Sequence, residues 1–108
     1  MSEKFNLIFC TCPNQKTAEK LAHDLIQKKL AGCINILPGL TSVYPWQGKI
    51  ETAQEILLLI KSRNDLFPSL QATITELHPY ELPEIIAVPI HDALPDYLQW
   101  INSWLTLK

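Results

Sequence analysis

The sequence predicts an α+β sandwich, with strands and helices in the order βαββαβ and a further helix at the C-terminus. Two observations carry that prediction. The stretch from Cys33 to Lys61 holds two long β-rich arms that meet at the polar turn Gln47-Gly48-Lys49, a hairpin signal. On each side of this hairpin stands one apolar β run and one stripe of helical period, the first pair between Phe5 and Ile26 and the second between Leu66 and Ile90. Two right-handed crossovers around a central hairpin make the split βαβ, ferredoxin-like arrangement, an antiparallel sheet with helices on one face.

The elements follow in order. Phe5 to Cys12 is short, apolar and rich in β formers, so it reads as the first strand. Pro13-Asn14 ends it, and Asn14 suits the cap of the next helix. Ala18, Leu21, Ala22, Leu25 and Ile26 recur at the spacings of one helix face. Lys28 and Lys29 fall in its last turn, where cations suit the dipole, and Gly32 is expected to break it. In the first hairpin arm the even positions Ile34, Ile36, Leu40, Tyr44 and Trp46 are expected to share one face, with a bulge or bend at Pro38-Gly39. In the second arm Ile56 to Ile60 is apolar on both faces, as a covered central strand requires.

The second helix opens at Ser62 to Asn64, with Pro68 in its first turn and Leu66, Phe67, Leu70, Ile74 and Leu77 inward. His78-Pro79 ends it, because a residue before proline avoids the α region. Ile85 to Ile90 is the fourth strand, and Pro89 makes it an edge strand or marks its end. Asp92 is placed to cap the last helix, whose core stripe is Leu94, Tyr97, Leu98, Ile101, Trp104 and Leu105; Trp100 lies off that stripe.

The hairpin arms are long for their domain. An arm of roughly 13 residues at about 3.3 Å each spans more than about 40 Å, whereas a domain of this size is only about 30–35 Å across. The tip around Tyr44-Pro45-Trp46 therefore overhangs its own domain, and an overhanging edge that carries aromatics predicts pairing with further copies of the same chain.

Composition narrows the function classes. The 108 residues are enough for one domain, 1–108, but hardly for two. With a net charge of −2, the chain lacks the basic footprint of a nucleic-acid binder. No apolar run approaches the roughly 20 residues of a membrane span, and Met1-Ser2-Glu3-Lys4 leads into a strand without the apolar core of a signal peptide. Three cysteines, odd in number and few, fit reduced thiols in a cytoplasm better than a disulfide framework. Only 3 glycines are present, which excludes a glycine-built phosphate cradle. No Ser/His/Asp grouping or H-E-x-x-H is present either, and the reading is of a protein that is not an enzyme.

Topology gathers the chemically active residues. The fourth strand runs antiparallel to the first, so its start lies beside the end of the first strand. Cys10, Cys12, His78, Glu81 and Glu84 are thus expected at one end of the sheet, with Glu51 and Glu55 on the same side and Cys33 at the opposite end. Thiolate with imidazole is a ligand set suited to copper or zinc. The spacing is not that of a closed zinc site, and a free cysteine in a strand also reads as a small buried apolar residue. His23 and His91 read as solvated.

The residues also carry a resemblance. The chain resembles the CutA family of divalent-cation tolerance proteins over nearly its whole length. The resemblance rests on Cys10-Thr11-Cys12-Pro13, Ala31-Gly32-Cys33-Ile34-Asn35-Ile36, Pro38-Gly39, Thr41-Ser42-Val43-Tyr44 and Trp46-Gln47-Gly48-Lys49-Ile50-Glu51. It continues through Glu55-Ile56-Leu57, Lys61, His78-Pro79-Tyr80-Glu81, Pro83-Glu84 and Tyr97-Leu98-Gln99-Trp100. It implies a cytoplasmic ferredoxin-like homotrimer held by the long hairpins, binding copper or other divalent ions such as zinc, with a role in tolerance of or response to metal ions. It further implies that Cys10 and His78 are the metal ligands. Leu77 stands where some members have a second histidine, Pro45 where an aromatic is frequent, and Gln47 where glutamate is common.

Two other classes compete. A trimeric signalling or scaffold protein binding a small effector in intersubunit clefts is similar in architecture, after the manner of nitrogen-regulatory proteins, though the tight hairpin turn leaves no long effector loop. An acylphosphatase-type enzyme would need an arginine near the first strand, and the sole arginine, Arg63, follows the third.

Overall fold

Strand β1 (Phe5–Cys12) becomes an interior strand because both of its edges find antiparallel partners, β3 (Lys49–Arg63) on one side and β4 (Ile85–Pro89) on the other. Strand β2 (Cys33–Trp46) pairs along the far edge of β3, so the sheet order is β2-β3-β1-β4. The computed structural model describes residues 4–107. Helices α1 (Gln15–Gln27) and α2 (Phe67–Leu77) lie on one face of the sheet. Ile8, Cys10 and Cys12 of β1 and Ile56, Leu58 and Ile60 of β3 meet Ala18, Leu21, Leu25, Leu70 and Ile74 of the helices in a single core. The order and layering are those of a ferredoxin-like sandwich, as the sequence predicts.

The hairpin has the predicted turn. Gln47 and Gly48 both have positive φ, 50° and 79°, and Trp46 pairs with Lys49, which describes a two-residue turn of the twist that suits a hairpin. The predicted bulge also forms. Leu37 pairs with Leu57 and Leu40 with Glu55, so three steps on β2 oppose two on β3, and Gly39 takes a φ of 86°. The extra residue reverses the facing of everything beyond it. Ile34 and Ile36 pair with Ile60 and Leu58 of the core, whereas Leu40, Tyr44 and Trp46 pair with Glu55, Glu51 and Lys49. The expected single even face is therefore wrong: the tip residues point to the opposite side of the sheet from Ile34 and Ile36.

Four further boundaries differ from expectation. Strand β3 continues to Arg63, because Phe5 and Asn6 pair with Arg63 and Ser62; buried Ser62 belongs to the sheet, where its hydroxyl donates to the Leu30 carbonyl at 2.6 Å. Helix α2 consequently begins only at Phe67, after a short 3-10 turn over Asn64–Leu66, with Pro68 in its first turn as predicted.

Helix α1 is capped by Asn14 as expected, its side chain accepting from the Thr17 N–H at 2.8 Å. Its last helical residue is Gln27, and the chain turns away through Lys29 at φ 57°, so Gly32 does not break it. Gly32 instead lets α3 (Pro95–Leu105) approach, since a Cβ there would sit 2.5 Å from Cγ2 of Ile101. Helix α3 starts at Pro95 after Leu94, without a side-chain cap; Asp92 lies too far upstream, and Leu94 is 71% exposed rather than in the core. Ile101 and Leu105 are the buried part of its stripe, and Trp104 donates its indole N–H to the Ile26 carbonyl at 2.8 Å.

Candidate metal centre

The end of β1, the end of α2 and the start of β4 converge, as the topology requires. Cys10 pairs with Leu58 and Ile85, and Cys12 with Ile56. Residues two apart on a strand share a face, so both thiols enter the core side where α2 delivers His78. The two sulfurs and an imidazole nitrogen of His78 lie within 4.8 Å of one another. All three side chains are buried, the two cysteines completely. Among the described residues this is the one such group of potential ligands.

His78 is held from both sides. The Tyr80 N–H donates to Nδ1 at 3.0 Å, which leaves the ring proton on Nε2, and Nε2 donates to the Thr11 carbonyl at 2.7 Å. The turn His78-Pro79-Tyr80 thus folds back on its own imidazole, and the Tyr80 ring lies 4.8 Å from that of His78. The Tyr80 hydroxyl donates to buried Glu55 at 3.0 Å. Burial, and then this bond to Glu55, push the Tyr80 phenol up to about 12.

The two thiols are pushed in opposite directions. Cys10 is pushed well up, first by the hydrogen bond to Cys12 and then by burial and the nearby charges of Cys12, Glu84 and Glu55. Cys12, which accepts that bond, is pulled down, against the opposing effects of burial and Glu55.

The donor set fits a soft or borderline ion. Binding at His78 has a geometric consequence. An ion on Nδ1 takes the lone pair that the Tyr80 N–H now uses. An ion on Nε2 moves the ring proton to Nδ1, where it meets the Tyr80 N–H donor to donor. Either way the Tyr80 clamp must open.

The other predicted residues sort by distance. Cys33 sits at the opposite end of the sheet, paired with Lys61, as expected. Glu55 reaches the site through Tyr80, while Glu51 is further up the hairpin arm, opposite Tyr44. Glu84 is exposed but close enough to act on Cys10; Glu81 is exposed, and neither joins the ligand group. His23 is on the surface, bonded to the Glu19 carbonyl at 2.8 Å. Sequence reasoning missed Tyr80 as the clamp on His78; the signal was the proline between them, which forces a tight turn.

Comparison with known proteins decides the family. Residues 6–104 match the model of the CutA1 divalent ion tolerance protein. The chain belongs to the CutA1 divalent ion tolerance family. The divalent-cation tolerance protein CutA of Thermus thermophilus is 43% identical over 97 residues, covering 90% of this chain and 94% of that one. Human CutA is 44% identical over 95 residues, 88% of this chain and 53% of the relative. The chain thus spans about half the length of the mammalian CutA proteins it matches. The crystal structure of CutA from Xylella fastidiosa superposes with a TM-score of 0.92 at 48% identity, covering 96% of this chain and 99% of that chain. The family is named for tolerance of divalent cations.

Proposed function

We propose that this CutA chain is a cytoplasmic homotrimer that binds copper or another divalent ion, such as zinc, through Cys10 and His78, and that it acts in metal tolerance by holding the ion rather than by catalysis. The observation that carries the reading is the convergence of Cys10 and His78, with Cys12 beside them, in one buried group. The ion supplies no reaction here; it is the cargo. Three unpaired cysteines support a reducing compartment.

Self-association has its own support. The sheet face away from α1 and α2 is apolar and incompletely covered, with half-buried Leu7, Phe9, Leu57 and Leu59 and exposed Ile86 on neighbouring strands. The hairpin tip carries exposed Val43, Trp46 and Ile50 at the end of a molecule 44 Å long and 27 Å wide. A second and third copy would cover both surfaces.

The test is an equilibrium titration of the reduced protein with copper and zinc. Cys10→Ser and His78→Gln are each expected to weaken binding by about tenfold or more, the order of effect seen when a metal site loses part of its support. Unchanged affinity in both variants overturns the assignment.

A further inference from the structure

Cys12 is as buried as Cys10, and its sulfur belongs to the same 4.8 Å group. Neither thiol is committed elsewhere by a disulfide. Among the described residues no fourth histidine, cysteine or carboxylate joins them. Glu55, the buried acid next along, is already engaged by the Tyr80 hydroxyl. The result is a group of two sulfurs and one nitrogen on three buried side chains.

That donor count bears on the choice of ion. Zinc and most divalent ions require four or more donors, and zinc sites with three protein ligands keep a water in the fourth position. Here the three buried side chains supply no fourth donor of their own. Soft sulfur donors favour monovalent copper, a closed-shell ion. From this geometry we infer that Cys12 is a third ligand equal to Cys10, and that the Cys10–Cys12–His78 site takes a monovalent, sulfur-seeking ion, copper(I), in preference to a divalent one.

The inference rests on the reading that Cys10 and His78 bind metal, and it narrows that reading to one oxidation state and a fuller ligand set. Copper enters already reduced, so no electron moves on the protein. Each thiol that coordinates releases its proton to solvent, and the ion takes the vacated lone pair.

The experiment uses the full-length reduced protein under anaerobic conditions. Copper(I) is titrated against a chromophoric copper(I) chelator, and zinc(II) against a zinc chelator. One copper(I) per chain is expected, with a near-ultraviolet sulfur-to-metal absorption band and an X-ray absorption spectrum of two sulfurs and one nitrogen. Cys12→Ser is expected to lower copper(I) affinity by about tenfold or more, as Cys10→Ser does, and zinc(II) is expected to bind more weakly than copper(I).

Wild-type copper(I) affinity in a folded Cys12→Ser variant removes Cys12 from the site and overturns the inference while leaving the Cys10–His78 reading intact. Zinc(II) binding as tight as copper(I) overturns the preference. If Cys12→Ser does not fold, the wild-type absorption spectrum decides, and a single sulfur overturns the inference. Binding of neither ion by the wild-type chain sinks both this inference and the reading beneath it.

Discussion

At the scale of single residues, two positions do work that their chemistry alone does not announce. Gly32 stands where α3 crosses the end of β2, and an added methyl would meet Ile101 at 2.5 Å from Cγ2 and 3.2 Å from Cα. The neighbour is partly backbone and cannot step aside, so Gly32→Ala is expected to destabilise the chain by about 1–3 kcal/mol in urea unfolding, as overpacking does. Tyr80 is the second position. Its hydroxyl satisfies buried Glu55, and its N–H fixes the tautomer of His78. Tyr80→Phe leaves the Glu55 carboxylate without that donor and should cost about 1–3 kcal/mol in the same assay. Metal loading at His78 should release the Tyr80 amide, read as faster hydrogen exchange at that one N–H; unaltered protection would mean that the imidazole does not take the ion.

At the scale of elements, apolar β-rich runs and the hairpin turn made the four strands legible, and the helical stripes of α1 and α2 were equally plain. What escaped was phase and boundary. Pro38-Gly39 was recognisable as a bulge, but one extra residue inverts every side chain beyond it, and only the register of β2 on β3 shows where the inversion falls. The end of β3 was hidden for a related reason. Ser62 and Arg63 resemble the start of a helix until Asn6 and Phe5 pair with them. The junction after β3 is tied by Arg63, which donates from Nε and Nη2 to the two oxygens of Asp65 at 2.9 and 3.0 Å, and from Nη1 to Asn102 at 2.8 Å.

The guanidinium holds the Asp65 carboxyl below the usual carboxylate range. A depressed folded pKa contributes stability that is present above the unfolded value of about 3.9 and disappears as pH falls through the folded value. Asp65 is 64% exposed, so the contribution is of the order of an exposed ion pair, at most about 1 kcal/mol. Asp65→Asn should therefore lower the melting temperature slightly at pH 6 and leave it unchanged near pH 2. A loss that persists undiminished at pH 2 would assign the effect to something other than charge.

At the scale of the whole molecule, the surface left over is the informative feature. One face of the sheet is sealed by helices, whereas Ile86 is 50% exposed on the other face beside half-buried Phe9. Burying such apolar area contributes about 25 cal/mol for each Å², and the β2 edge at the opposite side of the sheet offers backbone groups to a partner strand. A charge on that face, at Ile86 of the edge strand β4, should be incompatible with assembly. Ile86→Glu is expected to turn the proposed trimer into a monomer by light scattering coupled to size exclusion, with far-ultraviolet circular dichroism unchanged. A wild-type chain that is already monomeric at micromolar concentration would refute the trimer.

The sequence by itself determined the order of elements, the hairpin and its turn, the cap at Asn14, and the end of the sheet at which Cys10, Cys12 and His78 meet. Each of these follows from a local signal: a period of two or 3.6, a turn residue, or a topology with few alternatives. Tertiary structure alone decided which way the hairpin tip faces, why Gly32 must be glycine, where α3 begins, and how His78 is held. These depend on atoms distant in the chain: Leu57 and Glu55 for the bulge, Ile101 for Gly32, Thr11 for the imidazole. No local pattern encodes a contact across 67 residues of sequence such as that between His78 and Thr11; it exists only once the strand and the helix have packed.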